Sequence, residues 1–447
     1  MSSDGTDDFS FFSAIEKNNY KQVKRLISLN YDINIKNKDG QTPLFLAVWK
    51  NYIRIAKLLI ENGADINTID NAGISPFFRA VHCNYTDIVF LFIQKGFDIH
   101  KRDHNNLTAI RMSIEKRHIN MIKMLCQFGA ELDETDDCGE SLIFNAIYFN
   151  ELAIVKILID YGANINHIAD SGRTPLYLSI LSRQYLITKL LIKSGCEINY
   201  ENDHKTIFEM VIQQKNYSLF DLFLKKDVDI NYINTSNGNS PLIVSVRESD
   251  LKMAKKLIKK GCDINIVNND GHTALIYAVF DGNYDLFKLL LANGANINHI
   301  DFEGRSLLIH FFYGKQNMSI LNILINSNID VNIQDEYGNT ALSYATGRAY
   351  YDYIKILLQK GANIDVMNLK GDTPLIIAAK GENSILIYHF LEKGADPTIF
   401  NEEGYNALHY ISNLNFSKEY GINYLKILWD IKSSNENNHN PKRQRIR

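Results

Sequence analysis

The fold can be read from Asp39-Gly40-Gln41-Thr42-Pro43-Leu44 and from the later segment Gly63-Ala64-Asp65-Ile66-Asn67. Asp-Gly indicates a tight turn, because glycine tolerates a positive φ. Thr42 is a good helix N-cap, and Pro43 then occupies the first helical position, where its missing N–H is not needed. Gly63 stands where a second helix would end in the left-handed conformation. The stretch predicts a turn, two short helices and a loop.

This unit recurs along the chain. Each step is 33 residues, except for a step of 34 between Gly304 and Gly338, and Asn106 and Lys205 replace glycine in two copies. The ten turn glycines, here called register glycines, are Gly40, Gly73, Gly139, Gly172, Gly238, Gly271, Gly304, Gly338, Gly371 and Gly404. In every copy except that of Lys205, the residue equivalent to Thr42 has a capping side chain: Ser75, Thr108, Ser141, Thr174, Ser240, Thr273, Ser306, Thr340, Thr373 and Asn406.

The end of the unit repeats as well. Most copies carry a glycine equivalent to Gly63, and the exceptions are Asn30, Asp227 and Asn328, whose side chains tolerate the left-handed conformation. Neither helix of a unit is long enough to be stable alone, so each must pack against the next unit in a one-dimensional stack.

The period, the opening D-G-x-T-P-L and the closing G-A-D-I-N resemble the ankyrin repeat. The resemblance implies an all-α ankyrin-repeat solenoid of about 13 helix-turn-helix units with short β-hairpin-like turns. We expect a disordered segment at 1–8, an N-terminal capping repeat at 9–38 and eleven repeats at 39–402. A C-terminal capping repeat at 403–434, with an insertion in 413–420, and a disordered basic tail at 435–447 would follow. The sequence departs from the family at the histidine that often follows T-P-L, which only His409 keeps.

Composition narrows the class of protein. The 447 residues carry a net charge of −3, so no basic field indicates nucleic-acid binding. No apolar run approaches the ~20 residues of a membrane span, and the acidic start does not resemble a secretory signal. Five cysteines without a C-x-x-C pair predict buried or half-buried free thiols. We expect an intracellular monomer.

No catalytic constellation, cofactor site or metal site is predicted. The phosphate-binding, nucleophile-elbow and zinc-helix motifs are absent from the sequence. His100 and His104 have the spacing of helical metal ligands but fall in a predicted loop, which disfavours a site. One aspartate per unit precedes the turn, and side-chain-to-backbone turn bonds explain these residues better than calcium does. The aspartates are Asp70, Asp103, Asp136, Asp301 and Asp335.

A protein-binding surface is the stronger candidate. The resemblance implies that the turns and first helices face the concave side of the array. The ninth residue after a register glycine lies at the exposed end of the first helix, and aromatic residues are frequent there. The candidate partner-binding residues are Trp49, His82, Tyr148, Phe149, Phe280 and Tyr313. Packing of several of them between neighbouring units is an equally good interpretation.

Two further features remain open. Residues 204–236 lack the usual glycine and proline and shift the cap by one, which predicts a local weak point or altered curvature. The tail contains Lys442, Arg443, Arg445 and Arg447, and either a nuclear-import signal or a solvated tail fits it. The function predicted is a non-enzymatic scaffold or adaptor for an unidentified protein. The alternative is a pathogen or viral effector that engages a host protein, which only the abundance of Asn, Ile, Lys and Tyr supports.

Overall fold

The computed structural model describes residues 6–202, 205–226 and 228–412, and the chain divides into two compact units, Met1–Met210 and Val211–Arg447. The insertion at 413–420, the apolar run containing Leu425 and Trp429, and the tail at 435–447 lie outside the described residues. Within the described part, strand structure is confined to one two-stranded antiparallel ribbon and isolated bridges at the turns. The fold class is therefore all-α, as the repeats predict.

The first unit contains twelve helices, one two-stranded ribbon and the start of a thirteenth helix among its described residues. They are α1 Thr6–Glu16, α2 Tyr20–Ser28, α3 Pro43–Trp49, α4 Ile53–Glu61, α5 Pro76–His82, α6 Thr86–Gln94, α7 Ala109–Glu115, α8 Ile119–Gln127, α9 Leu142–Tyr148, α10 Leu152–Asp160, α11 Pro175–Leu181, α12 Tyr185–Lys193, β1 Glu201–Asn202, β2 Lys205–Thr206 and α13 Ile207–Gln213. Helix α1 begins at Thr6, three residues before the start expected for the N-terminal cap.

The second unit contains the end of α13 and a further series of paired helices. They are α14 Tyr217–Phe223, α15 Pro241–Arg247, α16 Leu251–Lys259, α17 Ala274–Phe280, α18 Tyr284–Ala292, α19 Leu307–Tyr313, α20 Met318–Asn326, α21 Ala341–Gly347, α22 Tyr351–Gln359, α23 Pro374–Lys380, α24 Ser384–Glu392 and α25 Ala407–Ile411. No helix in the part of the chain that the structure describes is long and apolar enough to cross a membrane.

The first helix of each repeat begins at the predicted cap. Thr42 is extended, and its Oγ1 accepts a hydrogen bond of 3.2 Å from the amide of Phe45, while Pro43 takes the first helical position. The same bond forms at every equivalent cap but one. Ser141 is the exception, because its buried hydroxyl has no hydrogen-bond partner among the described residues. Residue type therefore predicted the cap position but not this missing bond.

Helices pack in two rows within each unit. In the first unit, the first helices α3, α5, α7, α9 and α11 contact one another in sequence, and the second helices α4 to α12 do the same. First helices are buried on almost every side, as Leu44, Phe45, Ala47 and Val48 of α3 show. Second helices bury one apolar stripe of side chains and expose the opposite face to solvent. Each repeat thus covers the apolar faces of its neighbours, which short helices require.

A ladder of polar bonds joins the loops between repeats. The Asn34 Oδ1 accepts a 2.8 Å hydrogen bond from the amide of Asp65, whose own Oδ1 accepts from the amide of Asn67. Equivalent bonds between consecutive repeats run from Asn164 to Asp133, Glu197 to Asn166, Asp263 to Asn231, Asn296 to Asn265, Asn363 to Asn332 and Asp396 to Asp365. The recurring Asp-Ile-Asn segment therefore closes its own loop and accepts a hydrogen bond from the backbone of the following repeat.

The aspartates before the turns bond to the backbone. Asp70 Oδ1 accepts from the amides of Ala72 and Ile74, at 3.0 and 2.9 Å. Asp103, Asp136, Asp301 and Asp335 repeat this pair of bonds. Their regular recurrence in the sequence is thus explained by turn geometry.

Two expectations were wrong in detail. Asn30 adopts a positive φ of 60°, but Asn328 does not adopt the left-handed conformation. Helix α20 ends instead through Ser327, which is extended (φ −82°, ψ 164°) and whose hydroxyl bonds to the carbonyl of Ile323 at 2.7 Å. All five cysteines are free, but Cys138 is exposed rather than buried, because it lies at a turn.

Candidate functional site

The six predicted partner-binding residues lie where the first helices end. Trp49, His82 and Tyr148 are the last residues of α3, α5 and α9, and Phe149 is the C-cap of α9. Phe280 and Tyr313 are the last residues of α17 and α19 in the second unit. The structure therefore places all of them in one class of position, at the ends of seven-residue helices.

The six side chains differ in exposure. Trp49, Tyr148 and Phe280 are 44%, 48% and 44% exposed, and His82 is also exposed. Phe149 and Tyr313 are half-buried. Most of the side chains at these helix ends are thus available to a partner, but Phe149 and Tyr313 are only partly so.

Trp49 is held in place by its neighbours while 44% of its surface stays exposed. The Arg79 guanidinium lies 4.7 Å from the Trp49 ring centroid, and Phe45 meets the ring edge-on at 6.0 Å. A groove of about 760 Å³ adjoins it, lined in part by Phe12, Leu46 and Trp49. An aromatic ring fixed by a cation and beside a groove is well suited to receive an apolar side chain of a partner.

His82 sits in a positively charged neighbourhood. Burial of part of the ring lowers the pKa of His82, and the charges of Lys116 and Arg79 lower it further. The imidazole is therefore neutral near neutral pH and would contact a partner as an uncharged ring.

Tyr148 and Phe149 are positioned by charged side chains. The Tyr148 hydroxyl donates a 2.7 Å hydrogen bond to Glu140, and burial followed by this bond raises the pKa of Tyr148 to about 12. The Arg117 guanidinium lies 5.3 Å from the Phe149 ring centroid. Neither ring is a core residue, but both have defined orientations.

Phe280 and Tyr313 come together at one small cavity of about 210 Å³, whose lining also includes Tyr277 and Arg305. The two helix ends approach closely, because the amide of Lys315 donates a 2.7 Å hydrogen bond to the Phe280 carbonyl. A Cβ at Gly314 would lie 2.1 Å from that carbonyl oxygen, so this approach requires glycine.

Tyr313 is the candidate that packing explains best. Its hydroxyl donates a 2.8 Å hydrogen bond to the Tyr344 hydroxyl, and the guanidinium groups of Arg305 and Arg348 lie 5.6 and 5.5 Å from its ring centroid. Contacts from its own repeat and from the next one therefore occupy much of this side chain.

A polar cluster that the sequence analysis did not single out lies beside the same cavity. The buried Asp301 Oδ2 accepts hydrogen bonds from His310 Nε2 at 2.8 Å, Arg305 Nε at 2.9 Å and His272 Nε2 at 3.2 Å. Burial alone would raise the pKa of the Asp301 carboxyl, but these bonds hold it well below its usual range. His272, Asp301 and His310 are the residues whose ligand atoms could hold a metal ion in the described part of the chain.

The signal for this cluster is present in the repeat register. His272 is one residue after its register glycine, whereas Asp301 and His310 are three before and six after the next one, Gly304. Motif spacing along a single helix cannot reveal such a cluster, because its members come from consecutive repeats. Comparison of equivalent positions would have found it.

Comparisons with known proteins agree with the repeat pattern. A family model described as ankyrin repeats (3 copies) matches residues 11–103, 109–202, 208–301 and 298–368. A second model, described as ankyrin repeats (many copies), matches residues 347–390. No curated protein sequence matches the chain.

Several solved structures are similar to parts of the chain. The ankyrin repeat domain of Bcl-3, a member of the IkappaB family, is 26% identical with a TM-score of 0.42, covering 46% of this chain and 95% of that one. An ankyrin repeat domain from Acinetobacter baumannii AYE is 27% identical with a TM-score of 0.40, covering 42% and 100%. The ankyrin repeat protein EF0377 is 30% identical with a TM-score of 0.38, covering 41% and 97%.

Proposed function

Since this chain belongs to the ankyrin-repeat family, whose repeats are generally protein-interaction modules, we propose that it is a non-enzymatic scaffold or adaptor. Its partner would bind to the turns and first-helix ends, the surface that is concave in the family. The observation that carries the proposal is the recurrence of exposed aromatic side chains, Trp49, Tyr148 and Phe280, at one repeat position.

Preorganised side chains favour binding on this surface. Large aromatic rings supply most of the energy of many interfaces, and rings already fixed by neighbours lose little conformational freedom on binding. Arg79 fixes Trp49, and Glu140 fixes Tyr148. Rings fixed in this way can contact a folded or extended partner without first becoming ordered.

The test begins with capture of the partner by the intact chain, followed by mass spectrometry and affinity measurement. Trp49→Ala and Tyr148→Ala should each weaken binding about 30-fold, the equivalent of a ~2 kcal/mol hot spot. Tyr161→Ala is the matched control, because Tyr161 is 41% exposed but follows the second helix α10. Its affinity should remain that of the unaltered chain.

Thermal unfolding separates binding from packing. The melting temperatures of the Trp49→Ala and Tyr148→Ala variants should stay close to that of the unaltered chain, because both rings are substantially exposed. A large loss of stability would instead assign these rings to the packing between repeats. Substrate turnover by the purified chain would contradict a non-enzymatic role.

An effector role in a pathogen or virus is the second candidate, and the composition rich in Asn, Ile, Lys and Tyr favours it. It uses the same surface, so capture from host and non-host lysates would distinguish the two roles. A partner present only in a host proteome supports the effector.

The compartment is also a proposal. We place the protein inside the cell, with the basic tail at 442–447 as a candidate nuclear-import signal, although this tail lies outside the described residues. Deleting residues 441–447 from a tagged chain should abolish nuclear accumulation. An unchanged distribution of the protein between nucleus and cytoplasm would mean that the tail is a solvated segment and not an import signal.

A further inference from the structure

A polar frame recurs at the turns of the second unit. At the centre of the frame is the residue three positions before a register glycine. It contacts the residue directly after the preceding register glycine. It also contacts the residue six positions after its own register glycine. In one copy, the Asn268 Nδ2 donates to the Asn239 Oδ1 at 3.2 Å and to the Tyr277 hydroxyl at 2.9 Å. Another copy consists of Asp372, Asn401 and Tyr410. Amides, carboxylates and phenols fill these frames, which hold consecutive turns together.

The copy centred on Asp301 contains different chemistry. His272 replaces the amide of the preceding turn, and His310 replaces the phenol. One ligand atom from each of His272, Asp301 and His310 lies within 4.8 Å of the other two. We propose that this frame is a binding site for a transition-metal ion of the Zn²⁺ type, held by the Nε2 atoms of both histidines and by Asp301 Oδ2.

The donor set and its spacing fit such an ion. Two imidazoles and one carboxylate are common ligands of Zn²⁺, with bonds of about 2.0–2.2 Å, which places tetrahedral ligand atoms about 3.3 Å apart. The Asp301 Oδ2 lies 3.2 Å from His272 Nε2 and 2.8 Å from His310 Nε2. Only a small expansion would admit an ion among the three atoms.

Charge around the site also permits a cation. Arg305 Nε donates to Asp301 Oδ2 at 2.9 Å, and its Nη2 lies 2.5 Å from Glu303 Oε1. Glu303 offsets the arginine charge, which leaves the Asp301 carboxylate to face the ion, and Asp270 adds negative charge at the adjoining cavity. Arg305 would then orient the metal-binding carboxylate, as outer hydrogen bonds do at metal sites.

The cavity provides access and an open coordination position. His272 and His310 both line the space of about 210 Å³ that Phe280 and Tyr313 border. His272 retains 17% exposure of its side chain, so an ion can arrive from this side. A water molecule or another donor can complete the coordination there.

Binding would link two consecutive repeats. His272 belongs to the turn before α17, whereas Asp301 and His310 belong to the turn before α19 and to α19 itself. An ion that binds the folded arrangement and not the unfolded chain stabilises the fold by mass action. The proposal is independent of which protein the array binds.

The test is titration of the metal-free full chain with Zn²⁺, and with Co²⁺ as a spectroscopic probe. We expect one ion at this site, a rise in melting temperature with Zn²⁺, and a Co²⁺ spectrum without thiolate charge transfer. The H272N/H310Y variant replaces both histidines with the side chains at the equivalent positions, Asn239 and Tyr277, of the neighbouring frame, so it should fold normally. Its affinity for both ions should fall at least about tenfold, and the rise in melting temperature should disappear.

H100N/H104N is the matched control, because it removes two histidines from an exposed loop and should bind as the unaltered chain does. D301N serves as a second variant if H272N/H310Y fails to fold, with the same expected loss. Absence of saturable Zn²⁺ uptake by the unaltered chain would overturn the proposal. Equal uptake by the unaltered chain and the folded ligand variant would do so too.

Discussion

Ser75 and Ser141 occupy equivalent N-cap positions in two repeats of the first unit, but only one uses its hydroxyl. The Ser75 Oγ accepts a 3.2 Å hydrogen bond from the amide of Phe78. Ser141 has the extended backbone of a cap, yet makes no side-chain cap bond, and its Oγ is buried. A buried hydroxyl without a partner loses its hydration and gains no bond in return.

Replacement of each serine by alanine should therefore have unequal effects. Ser75→Ala should lower the free energy of unfolding by about 1 kcal/mol, the usual effect of losing a helix cap. Ser141→Ala should change it by less than about 0.5 kcal/mol or raise it, because no bond is lost. Urea denaturation of both variants measures the difference. Equal destabilisation would contradict the contrast between the caps.

The candidate site shows where residue-level prediction from sequence stops. Counting from the register glycine located Trp49, Tyr148 and Phe280 correctly at exposed helix ends. It could not separate them from Tyr313, because the contacts with Arg348 and Tyr344 come from the following repeat. The His272–Asp301–His310 cluster was missed for the same reason: its meaning depends on which side chains two repeats bring together.

At the scale of elements, α13 and α14 form the exceptional pair. Thr206 caps α13 through a 3.0 Å hydrogen bond from the amide of Glu209, so the cap is shifted by one residue, as the sequence predicts. Helix α14 has only seven residues, whereas the other second helices in the described residues have nine. Two fewer residues give this helix less apolar surface to bury against its neighbours.

We expect α14 to open more readily than α16, the next second helix in the same unit. Its backbone amides should exchange with solvent about tenfold faster, which corresponds to a local opening free energy lower by ~1.4 kcal/mol. Hydrogen exchange followed by mass spectrometry or nuclear magnetic resonance (NMR) can compare the two helices. Equal protection of the α14 and α16 amides against exchange would contradict the weak point that the irregular sequence predicts.

Element boundaries were predictable where one local signal acts alone. Caps such as Thr42 and proline at the first helical position indicate helix starts directly. Helix ends were less certain, because several conformations can terminate a helix. Asn328 illustrates this, since the Ser327 hydroxyl ends α20 through an extended residue that no side-chain preference had suggested.

At the scale of the whole molecule, histidines in both units make stability depend on pH. Burial lowers the pKa of His118 in the first unit and of His389 in the second below the ordinary value of 6.5. The unfolded chain therefore takes up protons more readily than the folded chain does as the pH falls. The stability that these two histidines contribute is therefore full above 6.5 and is lost as the pH drops below that value.

The free energy of unfolding in urea should accordingly be lower at about one pH unit below 6.5 than at one unit above it. His118→Gln and His389→Gln should each reduce this dependence, because each removes a group that the folded chain prefers to keep neutral. A free energy of unfolding that rises as the pH falls would contradict the predicted direction of this dependence.

The ladder between Asp-Ile-Asn segments has a consequence for how such a gene can change. The segments at 164–166, 263–265 and 363–365 each carry both an acceptor for the following repeat and an amide that bonds to the preceding one. Unequal recombination that copies one complete unit therefore adds a donor and an acceptor together, and recombination that deletes one removes both. The number of repeats can therefore change while these bonds are kept, whereas a deletion of part of a unit would leave a donor and an acceptor unmatched.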